Sequence, residues 1–268
     1  MLLDSYNRRI NYLRISVTDK CNLRCQYCRP ASGIPLKKHE DILSLEEIFE
    51  IAKYAVGLGI EKIRLTGGEP LVRKNIEYLV ERIAKLPSLK DFGMTTNGTM
   101  LVDYAFKLKK CGLHRVNISI DSLDPDRYTQ ITRGGDLNQA LLGIKAARLA
   151  GLTPIKLNVV LIPGQNEDER EAFLNFAKDN DLEVRFIRRM NLKTGERYGI
   201  ESNTTVGQCE LCDRLRLTCT GELKPCLFSE YSVNVRKAGL RDAFNIALKN
   251  KPECGAKNES EYMYEIGG

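Results

Sequence analysis

Short β-rich runs alternate with longer helical patterns through most of this chain, and that alternation limits the fold more than any other feature. Runs rich in branched apolar residues fall at 13–17, 62–66, 92–95, 116–120, 155–161 and 184–187. Patterns with helical period lie between them at 45–59, 73–86, 102–111, 136–150 and 167–179. Ser44 with Glu47 has the spacing of a capping box, and Gly59, Gly112 and Gly151 stand where helices end. A strict βαβα order predicts a parallel sheet with right-handed crossovers. Six strands fall two short of a closed (βα)8 barrel. The expected fold is therefore α/β, a partial (βα)6 TIM-like barrel, with a doubly wound sheet as the alternative.

The alternation stops after Met190. Residues 191–208 read as a polar, glycine-bearing loop, and 209–268 as a small, weakly periodic, cysteine-bearing segment. The expected division is a barrel at 1–190 and a C-terminal domain at 191–268. A metal site is the obvious staple for so small a unit. With 43% hydrophobic and 28% charged residues, the chain is neither disordered nor fibrous. Apolar runs such as Val159-Val160-Leu161-Ile162 are far short of the ~20 residues that span a bilayer. No apolar leader stands in residues 1–11, so a cytoplasmic location is expected. The net charge of +6 favours an anionic partner, although a solvated basic surface produces the same number. Basic residues are scattered rather than interleaved with aromatics, which argues against nucleic acid.

Strand residues alternate between two faces. The apolar set (Leu13, Ile15, Val17 and their counterparts) should meet the helices. The other face then carries Arg14, Lys62, Arg64, Lys156 and Arg185 into the barrel interior. Five cations there would repel one another unless an anion binds, and phosphates suit them best. One such residue could be explained by a strand edge facing water, but not residues on four of six strands.

Nine cysteines, an odd number in so long a chain, fit a disulfide scaffold poorly. Six of them form two spaced groups. Cys21-x3-Cys25-x2-Cys28 follows the first run, and its three thiolates could converge on one centre. An iron–sulfur cube takes four cysteines, so three would leave one iron open. Structural zinc or buried structural thiols are the alternatives. Cys209-x2-Cys212-x13-Cys226 is the second group; by spacing it could bind zinc, with Cys219 or Cys254 as a fourth ligand.

The first group, with Tyr27 before its last cysteine, resembles the radical S-adenosylmethionine (SAM) superfamily, whose fold is a partial (βα)6 barrel. Gly67-Gly68-Glu69-Pro70 after the second run resembles that family's motif for the SAM amino group. On its own it would read as a strand-to-helix turn. Arg14-Ile15-Ser16-Val17-Thr18-Asp19-Lys20, Arg214-Leu215-Arg216 inside the second group, Lys224-Pro225-Cys226-Leu227-Phe228 and the final Gly267-Gly268 narrow the resemblance. They are similar to the branch that joins C3′ and C8 of GTP in the first step of molybdenum cofactor biosynthesis.

The resemblance implies two [4Fe–4S] clusters and SAM as cofactors. Cys21, Cys25 and Cys28 would hold the cluster that splits SAM into methionine and a 5′-deoxyadenosyl radical. Tyr27, Gly67, Gly68, Glu69, Ser119 and Met190 would serve SAM. Arg14, Lys62, Arg64, Thr95, Lys156, Arg185, Arg214, Leu215, Arg216, Gly267 and Gly268 would serve GTP, with Arg14 also catalytic. Cys209, Cys212 and Cys226 would hold a second cube whose open iron meets the guanine. The implied partners are GTP and a reductant or electron-transfer protein, with a homodimer as a candidate assembly and neither nucleic acid nor membrane. The chain departs from that branch in being several dozen residues shorter, mostly between Met190 and Cys209. Arg188 also stands where an acidic residue is usual.

Overall fold

The computed structural model describes residues 1–35, 37–191, 197–198 and 208–257. Six parallel strands form its centre: β1 (Tyr12–Ser16), β2 (Lys62–Thr66), β3 (Asp91–Thr96), β4 (Arg115–Ser119), β5 (Lys156–Leu161) and β6 (Glu183–Met190). They lie in sequence order, as a right-handed βα barrel requires. Helices α1 (Leu45–Leu58), α2 (Ile76–Ala84), α3 (Leu101–Lys110), α4 (Pro125–Thr132), α5 (Leu137–Leu149) and α6 (Arg170–Asn180) form the crossovers.

Local chemistry sets the helix ends. At α1 the Ser44 hydroxyl accepts from Glu47 N (3.1 Å) and the Glu47 carboxylate accepts from Ser44 N (2.7 Å), the expected reciprocal cap. Gly59 ends that helix in the left-handed region at φ 109°, where a side chain would be strained. Helix α2 starts three residues later than the period suggests, because Pro70–Val72 forms a 3-10 turn and Asn75 is left-handed. Helix α4 was not expected; its signal is Asp124-Pro125, where Asp124 caps Arg127 N and proline takes the first helical position.

Among the described residues, the C-terminal segment packs most of its buried apolar side chains into the barrel core. Strand β8 (Arg214–Leu217) pairs in parallel with β1, placing Leu215 beside Leu13 and Arg216 beside Arg14. Strands β9 (Glu222–Lys224) and β10 (Val233–Asn234) continue the sheet antiparallel, and β7 (Arg197–Tyr198) pairs with β6 at the far edge. Leu215, Leu217, Leu223 and Phe244 of helix α8 (Leu240–Lys249) share one apolar core with Ile15, Leu65 and Phe92. The short helix α7 (Val235–Ala238) precedes α8. The division expected at residue 190 is thus no break in the core. Apolar burial, rather than a metal alone, holds the tail. Among the described residues no helix is long and apolar enough to cross a membrane.

Candidate active site

After β1 the chain loops over the C-terminal ends of the strands, the end where barrels of this kind carry chemistry. The Cys25 carbonyl accepts from both Cys28 N and Arg29 N at 3.0 Å, a tight turn that draws the two cysteines together. Arg24 N and Gln26 N donate to carbonyls of Thr132 and Ile131, tying the loop to α4. Burial pushes all three thiols up, Cys28 to about 11. For Cys25, Asp121 and the other two sulfurs add to that effect. Thiolates held this way need a positive centre beside them, as the irons of a cluster provide. Among the described residues no three His, Cys, Asp or Glu side chains stand close enough to share a single metal ion. In a cube each thiolate binds a different iron, so its sulfurs stand farther apart than the ligands of one zinc. Three cysteine thiols carried on one short loop are the donor set that an iron–sulfur cluster with one open iron takes.

The segment after β2 runs against this loop. Gly68 N donates to Thr18 O and Glu69 N to Lys20 O, both at 2.8 Å. A Cβ on Gly68 would lie 2.2 Å from Lys20 O and 2.6 Å from an Arg29 nitrogen, so only glycine permits the approach. Glu69 is buried, and its carboxylate accepts from Leu71 N (3.0 Å), Thr96 Oγ1 (2.8 Å) and Asn97 N (2.7 Å). It thereby clamps the glycine segment to the end of β3, and burial raises it to about 7. Tyr27 donates its hydroxyl to Asp121 Oδ2 at 2.7 Å, while Asp121 Oδ1 accepts from Val160 N. Burial holds Asp121 at about 6. Ser119 closes β4, opposite Asn158.

Deeper in the barrel lies a cavity of about 350 Å³. Arg14, Lys62, Arg64, Thr95, Arg185 and Arg214 line it, together with Arg115, Asn117, Asn158, Tyr12, Ile187, Asp91 and Asp213. Six cations thus face two carboxylates. Register sets the arrangement: Arg64, Arg14 and Arg216 stand abreast on β2, β1 and β8. Burial lowers Arg14, Arg64, Arg185 and Arg216, the last to about 10, and neighbouring arginines add to it. Arg64 Nε is buried without a hydrogen-bond partner among the described residues. The guanidinium groups of Arg64 and Arg214 lie 5.8 and 5.6 Å from the ring centre of Tyr12. The chemistry that fits is a polyanion.

Three expected residues do not line this cavity: Lys156, Leu215 and Arg216, although Arg216 is buried and stands beside Arg14 in the register. Lys156 pairs with Glu183 on β6 and does not line it. Leu215 is fully buried in the core, because side chains alternate along β8 and Arg214 and Arg216 take the other face. Arg115 and Asp91, joined by two contacts of 2.7 and 2.5 Å, were missed because β3 and β4 each begin one residue before the apolar runs do. The alternation of Arg115 with Asn117 was legible.

In the tail, Cys209–Leu211 forms a 3-10 turn, and Cys212 N donates to Cys209 O. Burial pushes the Cys212 thiol up, but Lys251 and Arg214 more than offset this and the net shift is downward. Met190 packs with Cys226 against Leu227 and Phe228. Cys219 is in the core, with its carbonyl accepting from Leu43 N, so it does not complete the group. Gly267 and Gly268 lie outside the described residues. Lys251, which sequence reasoning missed, is 2% exposed and donates to Cys212 Sγ at 3.3 Å. A lysine buried that deeply is itself a signal, visible only once the tail is folded.

A partial βα barrel with three thiols in the loop after its first strand is the architecture of radical SAM enzymes, and the model of the Radical SAM superfamily matches residues 15–177. A GTP 3′,8-cyclase from Peptoclostridium acidaminophilum is 44% identical over 320 positions, covering 100% of this chain and 98% of that protein. One from Moorella thermoacetica is also 44% identical, covering 99% of each. The chain belongs to the radical SAM superfamily and, within it, to the GTP 3′,8-cyclase family. The 320 positions exceed this chain's 268 residues, so the first relative carries segments that this chain lacks. Among solved structures, Streptococcus suis SuiB bound to precursor peptide SuiA superposes with a TM-score of 0.67 at 14% identity, over 91% of this chain and 66% of that one. For anSMEcpe with bound AdoMet the TM-score is 0.65 at 15% identity, over 90% and 78%. At such identities they speak to the fold alone.

Proposed function

We propose that this chain is a radical SAM GTP 3′,8-cyclase, a lyase that converts GTP to (8S)-3′,8-cyclo-7,8-dihydroguanosine 5′-triphosphate at the start of molybdenum cofactor biosynthesis. The observation that carries the reading is the row Arg64–Arg14–Arg216, abreast on three neighbouring strands and inside the same barrel whose end bears Cys21, Cys25 and Cys28. Buried like charges persist where an anion neutralises them, and guanidinium groups match phosphate oxygens in bidentate geometry.

Cys21, Cys25 and Cys28 hold one [4Fe–4S] cluster; Cys209, Cys212 and Cys226 hold a second. When bound, the reduced first cluster and SAM supply a carbon radical that removes a hydrogen atom from ribose C3′. The chain's own work is positional. Arg14, Arg64, Arg185, Arg214 and Arg216 fix the triphosphate, which sets where C3′ stands relative to the strand ends. Tyr12 and Ile187 keep apolar surface against the nucleoside and reduce water access. Glu69 and Asp121 rigidify the loop that holds SAM, Asp121 through Tyr27. Electrons come from a reductant or electron-transfer protein. Cysteines kept as thiols rather than disulfides suit a reducing cytoplasm.

The test is an anaerobic assay of protein reconstituted with iron and sulfide, given SAM, a strong reductant and GTP, ATP or UTP separately. A cyclised nucleotide formed only from GTP, with 5′-deoxyadenosine in step, supports the cyclase. SAM cleavage without any nucleotide product would move the substrate to another nucleotide or a peptide.

A further inference from the structure

Cys254 has no role in the reading above, yet it lies against one of the second-cluster cysteines. Its Sγ lies 2.8 Å from Cys209 Sγ. The next residue closes on another of the three: a Cβ on Gly255 would stand 2.5 Å from Cys226 Sγ and 2.7 Å from Phe228 O. Just before it, buried Lys251 donates to Cys212 Sγ (3.3 Å) and to the carbonyls of Arg214 (2.9 Å) and Pro225 (2.6 Å). Arg8 completes the clamp. Its guanidinium donates to the carbonyls of Cys209 (2.7 Å), Pro252 (2.6 Å) and Glu253 (2.7 Å), and is itself neutralised by Asp4 at 2.7 Å. The stretch 251–255 is thus tied to each of the three cysteine turns by an independent contact. The other two remaining cysteines are placed elsewhere: Cys219 is buried in the core and Cys111 ends α3.

We propose that Cys254 is the fourth protein ligand of the C-terminal [4Fe–4S] cluster in the substrate-free enzyme. The inference rests on the second cluster proposed above. Each sulfur of a cube serves its own iron, so Cys209 and Cys254 separate when the cluster is seated. Cys254 is exposed, and a change of rotamer achieves the separation without moving the core. On ligation the thiol gives its proton to solvent and its sulfur replaces water on the iron; no electron changes hands. A guanine that takes this corner displaces the sulfur, which regains a proton. The fourth thiolate makes the resting cluster closed and resistant to iron loss, and makes substrate entry an exchange of ligands.

The experiment isolates this cluster in the full-length chain with Cys21, Cys25 and Cys28 all replaced by alanine. After anaerobic reconstitution, iron and sulfide are counted, and the protein is oxidised mildly with ferricyanide and read by electron paramagnetic resonance. A cube with an open iron sheds it and gives a [3Fe–4S] signal; a cube with four thiolates keeps it. The expected result is about four irons per chain and little [3Fe–4S] signal, rising at least about fivefold when Cys254→Ala is added. Cys111→Ala, added instead, leaves the signal low. Equal signals with and without Cys254 overturn the fourth ligand while leaving the second cluster standing. A triple variant that binds no iron, yet melts as a folded protein, overturns the second cluster and the fourth ligand with it.

Discussion

Arg216→Met should weaken substrate binding and at the same time stabilise the free protein. Burial and then Arg214 hold the Arg216 guanidinium down from its ordinary value to about 10. That depression amounts to roughly 3 kcal/mol carried by the folded state while the group is charged. The sign follows from linkage. Below about pH 10 both folded and unfolded chains bind the proton, and the penalty is present in full. Above about pH 10 the folded chain releases it first, and the penalty fades as pH rises. Methionine fills a similar volume without charge. Arg216 makes contacts of its own, whose loss offsets about 1–2 kcal/mol. A net gain of about 1–2 kcal/mol remains, which for a chain of this size raises Tm by a few degrees, at about 2–4 °C per kcal/mol. GTP at a hundred times its Kd should stabilise the unsubstituted protein by about 2.7 kcal/mol. Loss of one charge-assisted contact weakens binding about 10–100-fold and removes about half to most of that shift. Thermal melts of the cluster-free protein at pH 7.5, with and without GTP, measure both effects. A variant that melts lower than the parent and keeps its full GTP shift would refute the reasoning, because Arg216 would then be a structural cation rather than one held for an anion.

Gly68→Ala must displace the backbone of the cysteine loop, since Lys20 O lies 2.2 Å from the new methyl; it should lower stability by about 1–3 kcal/mol and cut SAM cleavage about a hundredfold. Gly57→Ala, within α1 and with nothing within 4 Å of its Cβ, serves as the control and should be neutral or stabilising by up to about 1 kcal/mol. Asp121 sits at about 6 through burial, so the folded chain holds a proton that the unfolded chain has lost between about pH 4 and 6. Stability of the cluster-free protein should fall as pH rises through that window, and Asp121→Asn should flatten the slope in urea titrations. Arg64→Ala should raise the Kd for GTP about 10–100-fold, while Lys156→Ala, already paired with Glu183, should change it less than about fivefold; equal losses in calorimetry would mean that Lys156 leaves Glu183 to meet the substrate.

The six barrel strands, five of the crossover helices, the capping box at Ser44 and Glu47, and the side of each strand that carries charge follow from local sequence alone. Leu13 cannot share a face with Arg14, and Val116 cannot share one with Asn117, because neighbouring strand residues point opposite ways. Both cysteine groups are likewise written in local spacing. The remaining features depend on contacts between residues distant in the chain. Nothing near residue 214 says that β8 will pair with β1, so Arg216 meets Arg14 only because the tail joins the barrel sheet and shares its core. The pairing of Lys156 with Glu183 depends on the β5–β6 register. Lys251 and Cys254 reach the cysteine turns because α8 packs into that core and returns the chain to them. Local propensity acts over a few residues, whereas the charge that meets a charge and the sulfur that meets a sulfur are chosen by burial of the apolar faces, a property of the whole chain.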